Sequence, residues 1–365
     1  MTKREKMVFC TLFDSNYLDK GLALYLSMKR HISAFKLYIF AFDDKSFKIL
    51  KSMKLKNVIV LSVEDIMTVR LREIREERNR AEFCWTCTPI ILEYVLLQYG
   101  EKACTYIDAD IYFFSDPTEL ISEIISARKS VGLVEHRFRR NSEYGSHIFS
   151  DGRYCVQFNT FLNDIKGMEV LANWKESCLE WCYFKYEDGK LGDQKYTDKW
   201  KQRYQCIYEC QNLGAGVAPW NLHLYKYEGK KNEEIWMKYR GIPFRMIFYH
   251  FEGMKYLSDG SIDLRLWEPG VLGTSRKVHV IYGEYFAMIE FIRRYLAKKY
   301  GISFGQMILD AHSFRGQNYF LKELCKANGI LEGAWKWGAY WMNSVVNADK
   351  YASEKGKFGC FCRKK

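Results

Sequence analysis

The sequence predicts an α/β fold, a doubly wound sheet with helices on its faces, and three observations carry that expectation. Short apolar runs alternate with helical periodicity along the first hundred residues, the pattern of strand and helix in turn. The run Ala103 to Ile107 carries no charge and reads as a central strand buried on both faces. Asp108-Ala109-Asp110 follows it directly, placing acidic residues at the carboxyl end of such a strand, where open α/β sheets bind ligands.

The elements follow in order. Val8 to Leu12 is the first strand and Asp14-Ser15-Asn16-Tyr17 its loop. A helix over Leu18 to His31 comes next, with Leu22, Tyr25, Leu26 and Met28 at helical spacing. Lys36 to Phe42 and Asn57 to Ser62 are strands with a Lys-rich helix between them. Arg70, Arg72, Arg75, Arg78 and Arg80 alternate with Glu73, Glu76 and Glu77, which predicts one helix with a salt-bridged solvent face. An apolar helix from Pro89 to Gln98 leads into the Ala103 strand. Val131 to His136 and Tyr154 to Leu162 are further strands, and Val170 to Tyr186 is a helix. Residues 187 to 270 are rich in Gly, aromatics and polar turns, as loops that close over a site would be. From Tyr282 onward the pattern is helical, with Tyr285, Met288, Ile289, Ile292, Tyr295 and Leu296 on one face. The division expected is a catalytic domain over residues 1–270 and a basic, helical C-terminal region over 271–365.

Composition narrows the class. A chain of 365 residues with 48% hydrophobic and 16% aromatic content can bury a large core and is not a disordered protein. The net charge of +12 attracts anions such as phosphates, nucleic acid or an acidic membrane face. Basic and aromatic residues concentrate together only in the tail, Lys355 to Lys365, so no nucleic-acid partner is expected, and docking of the tail on an anionic membrane is left open beside plain solvation. Twelve cysteines occur without a secretory signal or a paired CxxC set and read as reduced, small apolar side chains, Cys84 and Cys87 included. The start of the chain lacks the apolar core of a signal peptide, and no stretch approaches the length of a bilayer span, so a cytoplasmic location is expected.

Five segments bear candidate chemistry. Asp108 and Asp110, two apart on extended backbone, can point the same way and share one hard divalent cation, or can be solvated turn residues. His250, in Phe248-Tyr249-His250-Phe251-Glu252-Gly253, is either a hydrogen-bonded core residue or the imidazole that completes a site preferring manganese over magnesium. Asp193 and Gln194 set a carboxylate beside an amide, a pair suited to sugar hydroxyls or an oxocarbenium-like centre; Asp193 is equally placed to cap the segment holding Tyr196 and Trp200. Asn159 ends a strand, as a ligand-binding amide or a turn residue. Asn212 to Asn221, with Trp220, is an aromatic wall for a sugar ring or a packed turn.

Read in order, Val8-Phe9-Cys10-Thr11 with Asn16-Tyr17, Tyr106-Ile107-Asp108-Ala109-Asp110, Phe158-Asn159-Thr160, Asp193-Gln194 and His250-Phe251-Glu252-Gly253 resemble the ordered motifs of nucleotide-sugar glycosyltransferases of the GT-A fold. The likeness spans roughly residues 7 to 257 and is nearest to the glycogenin and bacterial lipooligosaccharide galactosyltransferase group. It implies a Rossmann-like mixed sheet, with Asp108, Asp110 and His250 binding manganese, or magnesium in its place. Thr11, Asn16 and Tyr17 would lie near the nucleotide and Asn159 near the donor sugar. Asp193 and Gln194 would stand beside the anomeric carbon. Gly253 belongs to the last motif, and Lys255 approximates the lysine that contacts the diphosphate after it. The activity implied is transfer of a sugar, from UDP in the first instance, to a glycan or lipid-linked acceptor hydroxyl in surface polysaccharide synthesis. A nucleotidyltransferase acting on a sugar phosphate, which also places a divalent ion near a diphosphate, and a noncatalytic nucleic-acid binder are the alternatives.

Overall fold

In a computed structural model the described residues are 6–138, 147–258, 261–266, 276–304, 308–309 and 318–320. The first apolar run forms β1 (Met7–Phe13). The strand sends Phe9 and Phe13 into one core and Cys10 and Leu12 into another, because alternate side chains of a strand leave opposite faces. Helix α1 (Leu18–His31), β2 (Phe35–Ala41), α2 (Asp44–Met53) and β3 (Val58–Ser62) complete the first alternating half. Then come α3 (Val69–Glu77), α4 (Arg80–Gln98), β4 (Ala103–Ile107), β5 (Ile111–Phe113), α5 (Thr118–Ser126) and β6 (Val131–Glu135). The short α6 (His147–Ser150), β7 (Tyr154–Leu162), α7 (Ile165–Glu180), α8 (Trp200–Arg203) and β8 (Ile207–Glu209) follow.

The main sheet has seven strands in the order β3-β2-β1-β4-β7-β6-β8. Strands β3, β2, β1 and β4 run parallel, and β7 is antiparallel to both β4 and β6. The fold is therefore the mixed α/β sheet flanked by helices that the sequence predicts. One face is covered by α1 and α2, the other by α3, α4 and α7.

Several boundaries differ from expectation, each for a physical reason. The Arg-Glu stretch is two helices, not one, because Arg78 is extended and Asn79 forms a capping box with Glu82 at the start of α4. Arg78 is buried rather than solvated, and its guanidinium donates to Thr86 and to the carbonyls of Cys178 and Leu179 at the end of α7. Pro89 lies inside α4 instead of opening it; burial of Phe83, Cys87, Ile91, Leu92, Val95 and Leu96 outweighs the one backbone bond a proline removes. The helix expected over Val170 to Tyr186 starts at Ile165, capped by Asp164, and ends at Glu180.

The region 187–270 is more than loops. It holds β9 (Lys226–Lys231), β10 (Glu234–Tyr239) and β11 (Ile242–Arg245) as an antiparallel ribbon. Both hairpin turns have positive φ at their two central residues, Asn232 with Glu233 and Arg240 with Gly241, as two-residue turns that match strand twist require. Strand β12 (Phe248–His250) pairs antiparallel with β5. Strands β13 (Lys255–Leu257), β14 (Ser261–Asp263), β15 (Ile308–Leu309) and β16 (Asn318–Phe320) form a four-stranded sheet.

The last long helix, α9, begins at Arg276 rather than Tyr282 and runs to Tyr300. Its face of Tyr285, Met288, Ile289, Ile292 and Leu296 is buried in the protein. Arg293 of α9 donates to Asp19 of α1 at 2.6 Å, with both side chains largely buried. The boundary expected at residue 270 and the basic tail 355–365 lie outside the described residues. Among the described residues no helix is long and apolar enough to cross a membrane.

Candidate functional site

Strand β4 ends at Ile107, and the chain turns through Asp108 to Asp110 before β5 begins. The turn is tied at both ends. The Asp108 N–H donates to the Gln157 carbonyl of β7, and the Asp110 carbonyl accepts from the Phe251 N–H. Because β12 pairs with β5 with His250 opposite Ile111, the imidazole is carried to the carboxylates. His250 Nε2 lies 3.1 Å from Asp110 Oδ1 and 3.6 Å from Asp108 Oδ2. One ligand atom from each of Asp108, Asp110 and His250 falls within 4.8 Å of the others.

Two hard carboxylate oxygens and one imidazole nitrogen are a donor set for manganese or magnesium. The surroundings fit such an ion. Gln157 Oε1 meets His250 Nδ1 at 3.0 Å, so Nδ1 carries a proton and Nε2 would give its lone pair to an ion held there, the usual support of a metal-binding histidine. Tyr106 donates its hydroxyl to Asp108 Oδ1 at 2.7 Å.

The charges are strongly coupled. Burial pushes the Asp108 carboxyl up, and the neighbouring Asp110 adds to the push, against the pull of His250. Burial opposes the Asp110 charge too, yet His250 and then Lys20 bring it down to about 2. His250 is raised despite its burial, because Asp110 and Asp108 favour its charged form. Opposed shifts within one buried cluster mark a candidate functional site.

Asp193 is buried and does not act as a helix cap; the following turn of 3₁₀ helix has Gln194 at its cap position and no side-chain cap bond. Trp174 Nε1 donates to the Asp193 carbonyl at 2.9 Å. Its carboxyl is pushed up to about 8 by burial and by Asp108, while the Thr88 hydroxyl pulls the other way. Asp193 thus stands within electrostatic reach of Asp108. The Gln194 amide donates to the Asp151 carbonyl at 2.8 Å.

Thr11 in β1 and Asn159 within β7, not at its end, are fully buried, and among the described residues neither the Thr11 hydroxyl nor either Asn159 amide atom has a hydrogen-bond partner. Buried polar atoms are seldom left unpaired without cause. Tyr17 precedes α1, and the Lys20 ammonium lies 3.9 Å from its ring centre. The Asn16 amide oxygen accepts from Arg80 Nη1 at 2.6 Å, and Arg80 also pairs with Asp14. Gly253 sits at φ +66, with Arg265 against it. Lys255 stands in β13 opposite Asp263. Trp220 is buried, edge-on to His250 with ring centres 5.5 Å apart, so its loop is a packed turn and not an aromatic wall.

Gln157, Tyr106, Lys20, Asp14 and Arg80 were not legible as site residues from single motifs. For Gln157 a signal exists. Gln157 is polar within an otherwise largely apolar strand, where a buried amide needs a partner.

No protein-family profile matches the chain. It is 26% identical over 259 residues to the uncharacterised protein YfnD of Bacillus subtilis (strain 168), covering 70% of this chain and 80% of YfnD. Among solved structures it is similar to the galactosyltransferase LgtC in complex with donor and acceptor sugar analogues, with 14% identity, coverage of 68% of this chain and 87% of LgtC, and a TM-score of 0.44. It is also similar to the glycosyltransferase GlyE of Streptococcus pneumoniae TIGR4, with 14% identity, 58% of this chain and a TM-score of 0.39. The chain spans about half the length of GlyE, 48%. Both of these solved structures are glycosyltransferases.

Proposed function

We propose that this chain is a metal-dependent glycosyltransferase of the GT-A kind. It would move a sugar from a nucleotide diphosphate, UDP in the first instance, to a hydroxyl of a glycan or lipid-linked acceptor in surface polysaccharide synthesis. The observation that carries the reading is the convergence of Asp108, Asp110 and His250 at the carboxyl end of β4, with ligand atoms within 4.8 Å of one another. Chain topology, not local sequence, brings the histidine there.

Asp108, Asp110 and His250 would hold a manganese or magnesium ion, which when bound neutralises the leaving diphosphate. Gln157 keeps the imidazole turned toward it. Thr11, Asn16 and Tyr17 frame the nucleotide, and Gly253 and Lys255 follow the histidine near the diphosphate. Asn159 offers a buried amide without another partner to a hydroxyl of the donor sugar. Asp193 and Gln194 orient the sugar at its reacting carbon. If the transfer inverts that carbon, a carboxylate must take the acceptor proton, and Asp193, raised to about 8, is of suitable basicity.

The cytoplasmic location belongs to the same proposal. Membrane docking rests on the basic tail, and liposome flotation with and without residues 355–365 tests it; flotation unchanged by the truncation would rule the tail out.

The central test is release of UDP from a panel of UDP-sugars, with manganese or with chelator, in the unmodified protein and in Asp110→Ala. Metal-dependent release lost in the variant is expected, and it would also name the sugar. No release from any nucleotide sugar, with pyrophosphate formed instead from a nucleoside triphosphate and a sugar phosphate, would replace the reading by nucleotidyl transfer.

A further inference from the structure

Lys20 is buried, with 4% of its surface exposed, and among the described residues no carboxylate lies within ion-pair distance of its ammonium. It is placed against two ordinary preferences. A lysine is almost never fully buried unless paired, and a cation in the first turn of a helix opposes the helix dipole, yet Lys20 is the third residue of α1. Tyr17 at the cap position makes no side-chain cap bond, and the Lys20 N–H is met by Asp19 Oδ1 at 2.8 Å. The ammonium lies against the Tyr17 ring at 3.9 Å. Helix α1 starts beyond the carboxyl end of β1, which runs parallel beside β4, and so at the same end of the sheet as Asp108 and Asp110; burial works against the Lys20 charge, while Tyr17 and then Asp110 favour it.

Charge balance says what such a cation is for. Two carboxylates cancel a divalent ion, so the cluster as a whole brings no net positive charge to a diphosphate that carries several negative ones. A buried anion needs a paired charge. We propose that Lys20, at the start of α1, is a cation of the protein for the donor diphosphate in addition to Lys255, donating from its ammonium to a phosphate oxygen beside the metal-binding residues. The inference rests on the glycosyltransferase reading for its ligand, a nucleoside diphosphate.

The test is calorimetric titration of UDP and of uridine, with magnesium present, into the unmodified protein, Lys20→Met and Lys20→Gln. Loss of a charge-assisted hydrogen bond predicts UDP binding weakened about 10- to 100-fold, with uridine binding within about twofold of the unmodified value. UDP affinity unchanged in folded variants, or UDP and uridine weakened by the same factor, would overturn the assignment while leaving the glycosyltransferase reading intact. An unmodified protein that binds no UDP would overturn both. Should neither variant fold, ¹³C-methylene NMR of lysine in the unmodified protein decides. The Lys20 ε-methylene signal, assigned through Lys20→Arg, must move on adding UDP with magnesium and not on adding uridine; a signal indifferent to UDP refutes the role.

Discussion

Gln157→Leu tests the proposed metal centre at a residue outside the Asp108, Asp110 and His250 cluster. Gln157 is completely buried and holds both halves of the cluster, accepting from Asp108 N–H with its carbonyl and from His250 Nδ1, at 3.0 Å, with its side chain. Leucine keeps the backbone bond and much of the volume but accepts nothing. The Nδ1–H is then a buried donor without a partner, a cost of about 1–3 kcal/mol. The imidazole can relieve it by moving its proton to Nε2, where Asp110 Oδ1 stands 3.1 Å away, but that tautomer has no lone pair for a cation. Either route draws on binding energy, and about 1.4 kcal/mol is tenfold, so manganese affinity should fall about 10- to 100-fold. Gln157→Glu, which still accepts from Nδ1, should retain or exceed the original affinity. The assay is titration of free manganese by electron paramagnetic resonance without nucleotide, with thermal melting as the control for folding. A folded Gln157→Leu protein that binds manganese within twofold of the unmodified one would refute the reasoning.

Three further outcomes follow from the packing. A Cβ on Gly214 would lie 2.1 Å from the Arg245 carbonyl oxygen, so Gly214→Ala should destabilise by about 3 kcal/mol or more, read as a lower urea midpoint at unchanged slope. Arg293→Met leaves Asp19 charged and buried and should cost about 3–5 kcal/mol in urea unfolding, while replacing both residues by apolar ones recovers much of the loss. Burial holds the His136 imidazole down, from 6.5 to about 4, with Asp151 opposing. Between those values the unfolded chain binds a proton that the native state does not. Stability is therefore full above pH 6.5 and should fall by roughly 3 kcal/mol as the pH drops toward 4. His136→Asn should flatten that slope in urea melts compared at neutral and acid pH.

What the sequence made legible was local. Uncharged runs such as Tyr154 to Leu162 are strands to the residue, because burial on both faces leaves an unmistakable composition. Asp108 and Asp110 were visible because both ligands lie on one short segment. His250 alone says nothing, and only the order of motifs linked it to them, since the β5–β12 pairing that unites them is a long-range contact. The ribbon of β9 to β11 was hidden by its charge: only Ile235, Met237 and Phe244 are buried along it, too few to write an alternating pattern. The break between α3 and α4 was written in the capping box of Asn79 and Glu82, but the repeating charges continue across it. Lys20 was unreadable for the opposite reason, because a lysine in an amphipathic helix looks like every other surface lysine until the fold buries it.

The bond between Arg293 and Asp19 bears on how the chain can be divided. The motif likeness stops near residue 257, which invites cutting the gene there to obtain a minimal enzyme. Yet α9 leans on α1 beside the very turn that carries Tyr17 and Lys20, and its Tyr285 stacks on Phe251, with ring centres 3.7 Å apart, right after His250. A chain shortened before Arg276 would bare an aromatic wall and strand a buried carboxylate. The C-terminal helix is thus not a portable accessory to be swapped between relatives. An exchange of α9 with a relative would have to carry α1 along with it, as one block.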